Sequence, residues 1–206
     1  MIGAVIRSYG LTTYLPAVLK SYAWVDKISV MNYRFNGTTP IEDNTALLTT
    51  PFKNASVLSG ENLDQYAVLN MGVDSLKDCD LIFIADNDEL ITKEDQHKLV
   101  GGMVKEDIGV CDVIDYVDFY RAYPIRTHKP PVIVRPSARF FDTRCYMGSA
   151  TYFPEVKMHH LGYTYTPKEL DWKFGWEKRW EGDTTRNIMC QAHLDLELPK
   201  EIRDLL

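Results

Sequence analysis

The chain has 206 residues, of which 45% are hydrophobic, so it can bury one sizeable core. Its formal net charge is −6, which argues against strong binding to nucleic acid or to an anionic membrane. No apolar run is long enough to span a bilayer, the N-terminal residues lack a signal-peptide pattern, and the four cysteines are scattered singly. These features predict a cytoplasmic protein without a disulfide framework.

The first half of the chain alternates between short apolar runs and stripes with helical spacing. The predicted strands are residues 4–6, 27–33, 55–60 and 81–85. The predicted helices follow the stripes Leu15, Val18, Leu19, Tyr22 and Tyr66, Leu69, Val73, Leu76, and a third helix covers residues 92–104. This alternation favours an α/β fold with parallel strand pairing.

After residue 109 the pattern changes to β segments separated by loops. These segments are residues 109–121, 132–136, 138–141 and 156–163. The basic, proline-rich run of residues 121–139 predicts a long loop, either solvated or facing a phosphate or acceptor, and the final 40 residues predict helix. We therefore predict one domain, residues 1–206, with a nucleotide-binding first half (1–108) and a more irregular, substrate-facing second half (109–206).

The apolar run LIFIA leads directly into Asp86, Asn87, Asp88 and Glu89. Ligands of open α/β sheets bind beyond the carboxyl ends of the strands, and alternate residues of an extended chain project to the same side. Asp86 and Asp88 can therefore point at one region, where hard oxygen ligands suit Mg2+ or Mn2+. The alternative interpretation is a solvated acidic turn. An EF-hand fits less well, because Leu90 and Ile91 stand where a calcium loop needs an oxygen ligand and a glycine.

With these motifs the chain resembles the GT-A fold glycosyltransferases, in particular a family-2-like group with a DxDE motif. The resemblance covers the opening strand–helix–strand, the Asn70-x-Gly72 motif before the acidic strand, and a late segment with His160, Tyr163 and Lys173. It implies a Rossmann-like nucleotide-binding half with a mixed, mostly parallel central sheet, and a more irregular acceptor half. The chain is also similar to the first domain of larger virus-encoded glycosyltransferases, which implies further domains after its C-terminus.

The resemblance implies a metal site at the acidic turn. Asp88, and Asp86 directly or through water, would hold Mn2+ or Mg2+, with His160 as a third ligand. His159 is the alternative third ligand, but neighbours on a strand face opposite sides, so only one of the two histidines is expected to reach the metal. The metal would bind the diphosphate of a nucleotide sugar.

A binding site for a UDP-linked sugar donor is implied as well. Arg7, Ser8 and Tyr9 would line the nucleoside pocket, and Asn32 stands where the family often has an aspartate that contacts uracil. Asp64 is a candidate to replace that aspartate. The full set assigned to the donor is Arg7, Ser8, Tyr9, Asn32, Asp64, Asn70, Asp86 and Lys173. For Lys173 the alternative is a place on a solvated helix face.

The function implied by the resemblance is metal-dependent transfer of a hexosyl group to a hydroxyl of a glycan or glycoprotein, with inversion. Inverting transfer needs a carboxylate base, for which Asp142 and Glu155 are the candidates, each alternatively a surface acid. A second hypothesis is a sugar-nucleotide nucleotidyltransferase, although residues 6–14 lack the Gly-rich loop of that class. A third hypothesis is a non-catalytic module that binds nucleotide sugars.

Overall fold

A computed structural model describes residues 1–8, 10–34, 44–61, 63–123, 129–142, 144–170, 172 and 194–206. The strands are β1 (Ile2–Ser8), β2 (Lys27–Arg34), β3 (Ala55–Glu61), β4 (Leu81–Asp86), β5 (Glu89–Leu90), β6 (Ile108–Asp118), β7 (Arg121–Ala122), β8 (Pro131–Val134), β9 (Phe140–Asp142), β10 (Cys145–Tyr146), β11 (Ala150–His160) and β12 (Leu194–Asp195). The helices are α1 (Leu15–Ser21), α2 (Thr45–Thr49), α3 (Gln65–Ser75), α4 (Lys93–Gly102) and α5 (Lys200–Arg203), and residues 167–170 are also helical.

The first half of the sheet follows the prediction. Strands β3, β2, β1 and β4 lie side by side in that order, and all three pairings are parallel. Ile6 and Phe83 belong to the core that includes α1, whereas Val5 and Ile84 belong to a second core that includes α3. Apolar residues are therefore buried on both faces, as expected for parallel strands covered by helices.

A close approach of α3 to the sheet depends on Gly72. A Cβ atom at this position would lie 2.6 Å from Cγ1 of Val5 on β1. Any larger residue would push the helix away from the strand. The glycine of the Asn-x-Gly motif therefore serves helix–sheet packing.

The second half of the sheet is mixed. β8 lies between β4 and β6 and is antiparallel to both, while β11 pairs in parallel with β6 and antiparallel with β5. The buried strand β8 confirms the predicted β segment at residues 132–136, whereas the prediction of one long loop over residues 121–139 is wrong at β7 and β8. Apolar residues of β8 lose contact with water on entering the sheet, which outweighs the turn-forming tendency of the flanking prolines.

Several shorter elements were not predicted. They are α2 and the short strands β5, β7, β10 and β12, whereas α5 lies within the final 40 residues that were predicted as helix. The predicted C-terminal helix falls largely in residues 173–193, outside the described residues. Cys79, Cys111 and Cys145 are free thiols, and Cys190 lies outside the described residues. Within the described ranges, no helix combines the length and apolar character that a bilayer crossing needs.

Candidate functional site

The acidic turn, residues 86–89, connects β4 to β5 at the carboxyl end of the parallel strands. Arg7 of β1 pairs in register with Asp86 of β4. The backbone N–H of Asn87 donates to the carbonyl of Arg7 at 2.9 Å, and the Asn87 side chain donates to the carbonyl of Leu11. Asn87 is buried, so this residue fixes the turn against the end of β1.

One side of the turn is bound by arginines. Nη2 of Arg7 lies 2.6 Å from Oδ2 of Asp86, and Nη2 of Arg144 lies 3.6 Å from Oδ1 of the same carboxylate. Arg144 also binds Glu89 through two hydrogen bonds, of 2.8 and 2.5 Å. Burial opposes ionisation of Asp86, but the two guanidinium charges hold its pKa below the ordinary value. Asp86 and Glu89 are thus carboxylates with cationic partners inside the protein.

The other side of the turn faces a histidine. Oδ1 of Asp88 lies 3.6 Å from Nε2 of His160, and the hydroxyl of Tyr165 donates to Oδ2 of Asp88 at 3.3 Å. Nδ1 of His160 is 2.5 Å from Oδ1 of Asp115, its register partner on β6. Burial alone would lower the pKa of His160, but the Asp88 charge and the Asp115 hydrogen bond raise it to about 9. Asp88, His160 and Asp115 therefore form a chain of three interacting groups.

The ligand atoms of Asp88 and His160 lie close enough to share a divalent cation, which would take the place of the proton on Nε2 of His160. Two ligand atoms 3.6 Å apart can both bind a cation at about 2.1 Å. A carboxylate on the far ring nitrogen is how proteins commonly orient a metal-binding histidine, and Asp115 occupies that place. Carboxylate together with imidazole suits Mn2+ better than it suits Ca2+ or Mg2+.

Asp86 does not join this arrangement. Its carboxylate is turned toward Arg7 and Arg144, and within the described residues no group of three or more His, Cys, Asp or Glu side chains is arranged to hold a metal. The structure therefore brings Asp88 and His160 together, and separates them from the first aspartate of the predicted set.

His159 lies on the opposite side of β11. Its side chain is buried, and Nδ1 is 3.2 Å from the hydroxyl of Tyr116. Burial lowers the pKa of His159 to about 4, so the ring is neutral at physiological pH. As strand alternation predicts, only one histidine of the pair reaches the acidic turn, and it is His160.

The residues assigned to the donor are more dispersed. Ser8 is fully buried, and its Oγ lies 3.0 Å from Oγ1 of Thr45 on α2. Asn32 is half-buried and pairs in register with Ser8 near the carboxyl end of β2, while Asp64 is exposed just before α3. Tyr9 and Lys173 lie outside the described residues. Nucleotide contacts of these residues stay predictions.

Asn70 has a structural contact, and its assigned contact with the donor stays a prediction. Its amide nitrogen donates to the carbonyl of Phe140 at 2.9 Å, and its amide oxygen accepts the Phe140 N–H at 3.0 Å. This pair of hydrogen bonds fastens the β9–β10 hairpin to α3. The hairpin carries Arg144, so Asn70 supports the acidic turn from a distance.

The two candidate bases have different positions. Asp142 ends β9, two residues before Arg144, although its side chain is not among those described. Glu155 is exposed where β11 bulges, five residues before His160, which is about 16 Å along an extended strand. The structure places Asp142 on the hairpin that reaches the acidic turn and does not bring Glu155 there.

Four residues of the site were not found from the sequence: Asn87, Asp115, Arg144 and Tyr165. Asp115 had one usable signal, because it is an acid inside the long apolar run of β6. A buried carboxylate needs a partner, so its position could have prompted a search for a histidine or a cation. No comparable local signal marks Arg144.

Comparison with known proteins supports the fold. No protein-family model matches the chain, and no curated protein matches its sequence. The Staphylococcus aureus TarS structure superposes with a TM-score of 0.54 at 13% identity, over 82% of this chain and 37% of TarS. HddC from Yersinia pseudotuberculosis, complexed with GMP-PN, gives 0.55 at 12% identity, over 87% of this chain and 100% of HddC. GalNAc-T7 with UDP, GalNAc and Mn2+ gives 0.53 at 9% identity, over 77% of this chain and 43% of that one.

At these identities the likeness concerns architecture. It confirms the predicted α/β fold of GT-A type with a mostly parallel central sheet. The chain spans between 35% and 47% of the length of the TarS structures that it matches.

Proposed function

We propose that the protein is a metal-dependent glycosyltransferase that moves a hexosyl group from a UDP-linked sugar to a hydroxyl of a glycan or glycoprotein, with inversion. The observation that carries this proposal is the chain of interactions from Asp88 through His160 to Asp115, at the carboxyl end of β4. Ligands of open α/β sheets bind at this edge. The fold likeness to GalNAc-T7, solved with UDP, GalNAc and Mn2+, supports the same ligand class.

In this mechanism Asp88 and His160 would hold Mn2+, or less favourably Mg2+. The bound cation supplies positive charge that offsets the charge developing on the leaving diphosphate. Asp115 holds Nδ1 of His160, so Nε2 is directed toward Asp88. Tyr165 donates a hydrogen bond to Oδ2 of Asp88, which helps to fix the orientation of the carboxylate.

Asp142 is our candidate for the base. A carboxylate that takes the proton of the acceptor hydroxyl makes that oxygen a better nucleophile. Attack from the side opposite the leaving diphosphate would invert the anomeric centre. The supporting observation is the place of Asp142 on the hairpin whose Arg144 side chain reaches Glu89. Residues 1–206 would form one domain, with the donor bound by the first half and the acceptor by the second.

A sugar-nucleotide nucleotidyltransferase is the second candidate. The superposition on HddC covers the whole of that chain, and HddC was solved with GMP-PN. The two candidates differ in what they consume: a nucleotidyltransferase joins a sugar phosphate to a nucleoside triphosphate and releases pyrophosphate, whereas a glycosyltransferase consumes the finished nucleotide sugar.

Calorimetric titration of UDP, GDP and their common sugars, with Mn2+ and with a chelator, tests the proposal. We expect UDP binding that requires Mn2+, is lost in Asp88→Ala and is retained in Asp74→Ala. Asp74 is a suitable control because it is an exposed acid on α3, paired with exposed Arg139. Absence of nucleotide binding by the wild type would refute a nucleotide-sugar site.

The reaction itself separates the remaining candidates. Metal-dependent hydrolysis or transfer of a UDP-sugar would support a glycosyltransferase. Pyrophosphate release from a nucleoside triphosphate and a sugar phosphate would instead identify a nucleotidyltransferase. Tight binding of UDP-sugar with no turnover on a panel of glycan acceptors and no hydrolysis would indicate the non-catalytic module.

A further inference from the structure

The aromatic ring of Tyr163 lies beside His160, three residues past the carboxyl end of β11. The two ring centroids are 5.7 Å apart, and the planes are nearly perpendicular, at 81°. The nitrogens of His160 face Asp88 and Asp115. His160 therefore has two aspartates at its nitrogens and one aromatic ring packed against it.

A second aromatic ring packs against Tyr163 as well. The centroids of Tyr163 and Tyr123 are 5.4 Å apart, with an angle of 83° between the planes. Tyr123 is buried, and its backbone N–H donates to the carbonyl of Asp115 at 2.8 Å. Perpendicular aromatic pairs are a favourable arrangement, because the positive edge of one ring meets the negative face of the other. These two contacts hold the ring of Tyr163 in a defined orientation beside His160.

The backbone around Tyr163 is fixed in the same way. Tyr163 is the third residue of a turn in which the N–H of Thr164 donates to the carbonyl of Leu161 at 2.9 Å. The N–H of Leu161 donates to the carbonyl of Asp88 at 2.8 Å, so the turn is joined to the acidic turn. Leu161 and Tyr165 are buried, whereas Tyr163 is partly exposed. An ordered aromatic ring thus reaches solvent at the carboxyl edge of the sheet.

We propose that Tyr163 is a stacking platform for the pyranose ring of the acceptor. This inference rests on the proposed function and narrows its acceptor to a glycan whose sugar ring presents a C–H face. A tyrosine ring offers a large, rigid contact surface at a low cost in conformational entropy. Small-molecule sites commonly combine such an apolar wall with a few polar groups that fix the orientation of the ligand.

The position of Tyr163 favours the acceptor over the donor sugar. Tyr163 and Tyr123 both belong to the second half of the chain, after β11 and after β7, whereas the donor is assigned to the parallel first half. The diphosphate is assigned to the acidic turn, which Nε2 of His160 faces. An acceptor ring on Tyr163 would lie next to that place, within the half that is assigned to the acceptor.

The test uses saturation-transfer NMR with the methyl pyranosides of glucose, galactose and mannose, with and without UDP and Mn2+. Irradiation of tyrosine ring protons should saturate the C–H protons of at least one pyranoside, and glycerol, which has no ring face, should receive none. Tyr163→Leu should weaken this binding at least about fivefold, because an aromatic contact contributes beyond the area that it buries. Tyr163→Phe keeps the ring and should stay within about twofold of the wild type.

Tyr152→Leu is the matched control. Tyr152 is a tyrosine with 42% of its surface exposed, near the other end of β11. Its replacement should leave pyranoside binding at the wild-type value. An equal loss in Tyr152→Leu and Tyr163→Leu would overturn the assignment to Tyr163.

A measurement on the wild-type fold keeps the inference testable if Tyr163→Leu does not fold. The protein is labelled with 3-fluorotyrosine, and the fluorine resonance of Tyr163 is assigned by its absence in Tyr163→Phe. Addition of the pyranoside should shift this resonance and leave that of Tyr152 in place. A resonance of Tyr163 that does not move would overturn the proposal.

The outcomes separate this inference from the proposed function. A protein that binds UDP with Mn2+ but binds no pyranoside, or binds it equally well in folded Tyr163→Leu, overturns the platform alone. Effects on Tyr163 that come only from the hexose of a UDP-hexose would make it a donor contact and also overturn the platform. Pyranoside binding that depends on Tyr163, in a protein that binds no UDP, supports the platform and overturns the proposed reaction.

Discussion

Strands β6 and β11 carry two aspartate–cation pairs in the same parallel register, and the two pairs serve different purposes. Asp112 faces Lys157, and three residues further Asp115 faces His160. An odd separation turns the two aspartates to opposite sides of the sheet. Asp112 accepts hydrogen bonds from Lys157 at 2.5 Å and from the Tyr152 hydroxyl at 2.8 Å, and it also binds Lys129.

The difference lies in the cation rather than in the aspartate. Lysine has a single charged end, and Lys157 ends at the protein surface with 29% of its side chain exposed. Imidazole has two nitrogens, so His160 can bind Asp115 with one and face Asp88 with the other. The same cross-strand pattern is therefore a structural clamp at Asp112 and a link to the acidic turn at Asp115.

Removing the charge of each aspartate in turn tests whether the two pairs have different roles. Asp115→Asn should lower Mn2+ affinity by about 10- to 100-fold, because the carboxylate that orients His160 is lost. Asp112→Asn should leave Mn2+ affinity unchanged. Mn2+ titration followed by paramagnetic resonance measures both, and equal losses in the two variants would show that the pairs are not distinct.

The pair of Asp112 and Lys157 should instead contribute to the stability of the fold. Asp112→Asn should lower the free energy of unfolding by about 2 kcal/mol, because charge-assisted hydrogen bonds from two lysines are weakened. Urea unfolding of the variant and the wild type at pH 7 gives the value. An unchanged midpoint would show that the clamp contributes nothing.

The clamp should also weaken in acid. Burial opposes ionisation of Asp112, but hydrogen bonds from Lys129, Lys157 and Tyr152 outweigh it and lower the pKa to about 2. An aspartate with a lowered pKa stabilises the fold above its unfolded value of about 3.9, and this contribution is lost as pH falls toward the folded value. The stability difference between wild type and Asp112→Asn should halve by about pH 3 and nearly vanish below pH 2. A difference independent of pH would contradict this origin.

The smallest effect is expected at the outermost member of the clamp. Lys129 has 34% of its side chain exposed and lies 4.1 Å from the centre of the Tyr152 ring. Lys129→Met should lower the free energy of unfolding by less than Asp112→Asn does, because Lys129 is partly exposed and Lys157 still binds Asp112. Differential scanning calorimetry would measure it. A loss as large as that of Asp112→Asn would mean that Lys129, rather than Lys157, is the principal partner.

The sequence predicted the parallel half of the fold well, because its strands are short runs rich in apolar residues that alternate with helical stripes. It also located Asp88 at the end of β4, and alternation along β11 correctly allowed only one histidine to face the turn. Local patterns carry this information, since a strand and the loop that follows it are read from neighbouring residues.

The remaining contacts join residues that are distant in the chain. Arg144 meets Glu89 across 55 positions, and Asp115 meets His160 across 45. Both contacts depend on strand order, in particular on β8 entering between β4 and β6, which no local pattern shows. For Asn70 the motif itself was recognised from the sequence. Its contact was not, because the backbone of Phe140 that it binds lies 70 positions away.

A bulge in β11 separates the first part of this strand from the last part, which ends at His160. Phe153 pairs with Cys111 and Lys157 with Asp112, so four steps on β11 match one step on β6. Pro154 and Glu155 within it are exposed. A change of length at these two residues would be absorbed locally and would leave His160 opposite Asp115. A fluorophore or an affinity handle attached there would report on the protein without altering the register at the acidic turn.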